Sequence, residues 1–260
     1  MKTSTGTIVL AAGLTAFGVA VAEAASERTV MLDLRGQSQT LHLYGAPGPR
    51  VTVVTSGDGG WLGLGRDVAE HLADAGYFVV GFDAKAYLSS FTHGDRTLCV
   101  GDVPRDYAAL VDFAVRGTQA KPLLFGVSEG AGLSVLATTD PAVRAKVAGV
   151  VAMGLPDQNE LGWRFRDQMI YITKKTPNEP LFSVRQIVGS VAPVPLAIFQ
   201  ATHDEFVPAE DTRAIVAAAR EPRRLWTIEA GNHRFGDARP ELWRRLEEAL
   251  AWIAQVPVSR

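Results

Sequence analysis

The sequence predicts an α/β domain with a mostly parallel central sheet flanked by helices. Three observations carry this. Short runs of continuous apolar, β-favouring residues recur at Val51–Thr55, Phe78–Phe82, Leu123–Phe125, Val147–Met153, Leu196–Gln200 and Leu225–Glu229. Such runs suit strands covered on both faces rather than half-solvated ones. Helix-like stretches alternate with them, at Asp67–Ala75, Val103–Val115, the residues after Ser128, Glu210–Ala219 and Glu241–Ile253, which is the rhythm of βαβ units. Finally, Gly126-Val127-Ser128-Glu129-Gly130 closes an apolar run and opens a small-residue run, a strand-to-helix turn with serine at its apex.

Taken in order, the first residues read as an export signal. Lys2 gives a positive start, Ile8 to Ala22 is apolar, and Ala22-Glu23-Ala24 is a small-x-small cleavage site. Cleavage is expected after Ala24, which makes residues 1–24 a signal peptide and places the product in the periplasm or outside the cell. An uncleaved anchor is the alternative, against which the run falls short of the ~20 residues of a spanning helix. Residues 25–260 then form one domain, a length normal for an enzyme built around one sheet. Val30–Leu34 and Thr40–Tyr44 flank Gly36-Gln37-Ser38 and read as an antiparallel hairpin at a sheet edge. After Gly154 the alternation lapses for about forty residues. Leu155–Val194 interleaves Trp163, Phe165, Tyr171 and Phe182 with Arg and Lys and is punctuated by prolines; it reads as a small cap or lid insertion (155–194), since long insertions in compact domains are usually functional. The alternative is a surface excursion whose aromatics plug the top of the sheet.

Composition excludes several classes of function. The formal net charge is −2 and long basic runs are absent, which argues against a nucleic-acid partner. Cys99 is the only cysteine, so there is neither an intrachain disulfide nor a cysteine metal cage. The five histidines show no HxxxH or HxH spacing, and no metal or other cofactor is expected. Nothing after the leader is long and apolar enough to span a bilayer; the oligomeric state stays open.

About one chain in ten of this composition would contain a G-x-S-x-G pentapeptide by chance, so its strand-then-helix context carries the inference. A serine hydroxyl is a weak nucleophile that needs a base within reach and a group to orient that base. His233, in Ala230-Gly231-Asn232-His233-Arg234-Phe235, follows the last predicted strand; Asp204, in Thr202-His203-Asp204-Glu205-Phe206-Val207-Pro208, follows the preceding one. The order Ser, Asp, His is that of the α/β-hydrolase fold. His42 and His71 are poorly placed rivals for the base. Asp157 competes with Asp204 for the acid, and Glu205 is a weaker candidate. Acyl transfer also needs amide donors for the developing oxyanion. The residue after the nucleophile supplies one, Glu129 N–H, and the Ser56-Gly57-Asp58-Gly59-Gly60-Trp61 loop supplies the other, at Asp58 or, failing that, Gly59. Trp61, Trp163, Phe165 and Tyr171 are the candidate substrate contacts.

The GDGGW loop, a following helix, the Val79-Val80-Gly81-Phe82-Asp83 strand end and the serine elbow together resemble the bacterial virulence-protein family VirJ/AcvB, from about Val51 through the final helix. The resemblance implies a periplasmic α/β-hydrolase with Ser128, Asp204 and His233 as its triad; some members of that family are associated with hydrolysis of aminoacyl esters of phosphatidylglycerol. The family elbow usually carries an aromatic after the serine, where this chain has Glu129. Both expected oxyanion donors thus belong to acidic residues, whose carboxylates either point away from the reacting oxygen or bind a cation on the substrate.

The sequence therefore points to an exported serine hydrolase that cleaves a carboxylic ester, aminoacyl-lipid or small and aromatic. The alternatives are a catalytically silent hydrolase-fold protein that binds a partner in the cell envelope, and a serine peptidase.

Overall fold

A computed structural model describes residues 27–165 and 179–257. The leader and Tyr171 lie outside them. Eight strands form one sheet: β1 (Arg28–Leu34), β2 (Gln37–Tyr44), β3 (Val51–Thr55), β4 (Phe78–Phe82), β5 (Leu123–Val127), β6 (Gly149–Met153), β9 (Leu196–Ala201) and β10 (Arg223–Ile228), in the spatial order β1-β2-β4-β3-β5-β6-β9-β10. From β4 to β10 every neighbouring pair is parallel; β2 runs antiparallel to both β1 and β4. The expected hairpin is therefore present and forms the sheet edge. It turns through Arg35 and Gly36, both at positive φ, and Asp33 Oδ1 accepts the Gly36 amide.

Side chains along each central strand alternate between two apolar layers. Val53, Leu124 and Val150 face one layer, shared with α3 (Asp102–Ala114) and α4 (Glu129–Thr138). Val54, Phe125 and Val151 face the other, shared with α1 (Leu64–Asp74) and the C-terminal helix α8 (Arg239–Gln255). Period-two alternation buried on both faces is why these strands are apolar throughout. Further helices are α2 (Ala84–Ser90), α5 (Pro141–Lys146), α6 (Val184–Ile187) and α7 (Ala209–Ala218).

The described part of the 155–194 stretch is not irregular. β7 (Gln158–Glu160) pairs antiparallel with β8 (Leu181–Ser183) as a separate two-stranded ribbon, and α6 follows at once. Asp157 holds this ribbon shut: its carboxylate accepts hydrogen bonds from Ser183 Oγ, the Arg185 amide and Gln158 Nε2. Burial pushes the Asp157 carboxyl up, but these bonds and the Arg185 guanidinium outweigh it and hold the group below its ordinary range.

Candidate active site

The G-x-S-x-G turn is tight enough that its glycines are steric requirements. A Cβ on Gly126 would lie 2.2 Å from the Gly130 carbonyl oxygen, and one on Gly130 would lie 2.3 Å from that of Ser56. Ser128 itself has φ 53°, ψ −121°, a conformation that costs a non-glycine residue free energy. The turn is pinned by a hydrogen bond from the Ser128 amide to the Met153 carbonyl at 2.8 Å. The strained position lifts Ser128 off the end of β5, where α4 begins with its first amides lacking intrahelical partners.

His233 and Asp204 reach the same place from β10 and β9. His233 Nδ1 lies 2.7 Å from Asp204 Oδ2, and the two side chains are 8% and 1% exposed. The other Asp204 oxygen accepts the amides of Phe206 and Val207, which fixes the carboxylate's direction. Glu205 Oε2 accepts the His233 amide at 2.8 Å and so anchors the histidine loop. Gly154 lies against the imidazole face, and Phe206 meets the ring edge-on. With Nδ1 directed at a carboxylate, Nε2 is buried and has no hydrogen-bond partner among the described residues.

Ser128, His233 and the loop after β3 line one cavity of about 410 Å³, together with Gly57–Gly60, Leu62, Glu129, Glu160, Phe206 and Arg234. Gly57 approaches the serine closely, since a Cβ on it would lie 3.2 Å from Ser128 Cβ. The expected amide donors, Glu129, Asp58 and Gly59, all belong to the lining. The Glu129 side chain is turned toward β7, where Oε1 accepts the Glu160 amide at 2.6 Å. The lining is acidic: Asp58, Glu129, Asp157, Glu160, Glu205 and Asp211 face it, against Arg234 and His233.

Rival residues lie elsewhere or are engaged otherwise. Asp157 lines the cavity, but its oxygens are committed to the β7–β8 ribbon. His42 stacks on Trp61 at 4.8 Å, His71 stacks on Trp243 at 4.3 Å, and His203 is exposed beside Glu229. Among the described residues no group of three or more His, Cys, Asp or Glu is placed to hold a metal ion, and no helix is long and apolar enough to cross a membrane.

The expected aromatic contacts fare differently. Trp61 does not line the cavity. Its ring lies over Gly81, where a Cβ would meet it at 2.2 Å, and its indole N–H donates to Tyr44 Oη at 3.2 Å. It is a packing residue of the β2–β4 edge. Trp163 is partly buried on the core with Lys85 over its ring, and Phe165 is 80% exposed; neither lines the cavity. Sequence reasoning missed the anchoring by Glu205 and the contact of Gly154 with the imidazole. The acid directly after Asp204 and the glycine closing β6 were the available signals.

Residues 49–169 match the family described as bacterial virulence protein (VirJ). No curated protein matches the sequence. Among solved structures, an esterase of Pyrococcus furiosus, Pf2001, is similar at TM-score 0.64 and 18% identity, over 87% of this chain and 92% of that one. Est1E from Butyrivibrio proteoclasticus is similar at 0.62 and 15%, over 87% and 98%. A structure described as a membrane phospholipase A, a novel bacterial virulence factor, is similar at 0.65 and 13%, over 89% and 87%. At such identities the likeness is one of fold, and the fold is that of the α/β hydrolases.

Proposed function

We propose that this VirJ-like α/β hydrolase is an exported serine esterase. The observation that carries the reading is the His233–Asp204 pair: Nδ1 is bound to a buried carboxylate and Nε2 has no other partner among the described residues, in the cavity that Ser128 lines. In this reading Nε2 takes the proton from Ser128 Oγ as the hydroxyl attacks an ester carbonyl, and Asp204 holds the imidazole in the required tautomer and stabilises the imidazolium. The tetrahedral oxyanion is received by amides of the Glu129 turn and of the Gly57–Gly59 loop. Collapse expels the alcohol with the proton from His233, and water activated by the same nitrogen then releases the acid from Ser128.

An ester substrate is supported by the cavity, which combines the apolar side chains of Leu62, Val127 and Phe206 with polar backbone beside Ser128. The esterase and phospholipase descriptions of similarly folded proteins agree with that class. Both lipid esters and small or aromatic ones fit this reading. A silent scaffold has no need for a buried, oriented imidazole beside a strained serine, so the same geometry weighs against that alternative.

The test is a panel of short-chain, aromatic and aminoacyl-lipid esters, offered to wild type, Ser128→Ala and His233→Ala. Wild type is expected to turn over at least one of them, with kcat lowered by about 10⁵-fold or more in either variant. Turnover that persists in Ser128→Ala would refute the assignment. Cleavage of peptides but of no ester would transfer it to the peptidase reading.

A further inference from the structure

Glu129 follows the proposed nucleophile, yet its side chain has no part in the chemistry above. Its backbone amide is an oxyanion donor in that reading, so a charge on the same residue bears on the reaction. A carboxylate there would oppose the negative charge forming on the substrate oxygen.

The residue is 7% exposed, and its Oε1 accepts the Glu160 amide at 2.6 Å. One turn further along α4, Gly132 meets the buried Asn159 so closely that a Cβ would lie 1.8 Å from Oδ1. Residues three apart share a helix face, so these two contacts seat β7 directly on the nucleophile helix. Among the described residues, Glu129 is faced by Glu160 from β7, Asp58 from the loop after β3 and the Tyr107 phenol from α3, with His233 and Arg234 elsewhere on the cavity wall. Burial first, then the like charges of Glu160 and Asp58, push its carboxyl well above the usual range, and the bond from the Glu160 amide opposes this only in part.

We propose that Glu129 is a positioning residue kept as the neutral acid, that it seats the Gln158–Glu160 strand against the nucleophile turn, and that its ionisation turns the site off from the alkaline side. The proposal rests on the serine-esterase reading and deepens it. A neutral carboxyl presents a carbonyl oxygen to the Glu160 amide as well as a carboxylate does, without placing a charge in a site so deeply buried. Glutamine reproduces that carbonyl and cannot ionise; alanine removes it.

Two measurements on the full chain test this. Carbon NMR of protein labelled at the glutamate carboxyl carbons reads the protonation state without reference to activity. The Glu129 resonance is identified by its loss in Glu129→Gln or, should that variant not fold, as the one whose titration midpoint falls in Glu160→Gln. It is expected at the position of a neutral acid at neutral pH and should move only on the alkaline side; a carboxylate position at neutral pH would overturn the proposal.

The second measurement is the rate at which a fluorophosphonate labels Ser128, followed against pH. Wild type is expected to lose about tenfold or more on the alkaline side, as an opposed oxyanion would. Glu129→Gln should lack that limb, and Glu129→Ala should be slower at every pH. An identical alkaline limb in wild type and Glu129→Gln would overturn the switch and leave Glu129 a packing residue. If Ser128 is not labelled at all, the esterase reading fails, and the NMR titration still decides the state of Glu129.

Discussion

Gly154 lies so close to the imidazole of His233 that a Cβ built on it would sit 2.5 Å from Cε1 and 2.9 Å from Nδ1. Gly154 is also at φ 58°, and its amide is held by the Phe199 carbonyl. The end of β6 is therefore the wall against which the histidine is oriented. Gly154→Ala combines a left-handed conformation with a collision against a ring that Asp204 holds in place. A stability loss of about 2 kcal/mol or more is expected, together with a fall in the proposed esterase activity larger than the Tm change accounts for. Calorimetry and kcat on the same preparation check this; an unchanged kcat would mean that the ring position tolerates displacement.

The Asp204–His233 bond carries a second prediction. Asp204→Asn preserves shape but offers an amide N–H where an acceptor is needed, so turnover should fall by about 10⁴-fold with little change in KM. Asp157→Asn should leave turnover within about tenfold of wild type and instead lower stability, because Asp157 ties β7 to β8 and the start of α6. Paired kinetics and thermal melts separate the two, and the opposite pattern would move the acid to Asp157.

Trp61 supplies a third. Its ring is stacked on His42 and laid over Gly81, outside the cavity. Trp61→Ala should cost about 2 kcal/mol through lost packing and leave KM for any ester substrate within about twofold. A raised KM at unchanged Tm would return Trp61 to the substrate.

Glu129 gives a stability prediction whose sign follows from its raised carboxyl. Folded Glu129 keeps its proton above the value of 4.5 that it takes in the unfolded chain. The folded state therefore binds more protons in that interval, and the stability linked to this group is complete below about 4.5 and is lost as pH rises through the folded value. The Tm of wild type should accordingly drop relative to Glu129→Gln as pH is raised. Scanning calorimetry across that range checks it, and a constant Tm difference would contradict it.

How much of this was legible in the sequence can be followed residue by residue. The central strands were, because strands buried on both faces must be apolar throughout, and β3, β4, β5, β6 and β9 each have every residue buried. The placing of Ser128, Asp204 and His233 after three strands of the sheet was also legible, since loops at carboxyl ends of parallel strands gather on one side. α2 was not, because seven residues cannot display a helical period; its one local signal is Asp83, whose side chain accepts the Ala86 amide. β7 and β8 are three residues each and take their form from Asp157 and from the seat on α4, contacts that a linear pattern does not carry. Trp61 stands in a loop that borders the site, but the absence of a side chain at Gly81, twenty residues later, lets its ring lie over the sheet edge instead.

Whether Ser128 attacks as proposed can be read from the mass of a covalent adduct. Wild-type protein incubated with a fluorophosphonate should gain one adduct, mapped by peptide mass spectrometry to the peptide containing Ser128, and Ser128→Ala should gain none. Folded wild type that stays unmodified, or that carries its adduct on another residue, would contradict the assignment of Ser128 as the nucleophile.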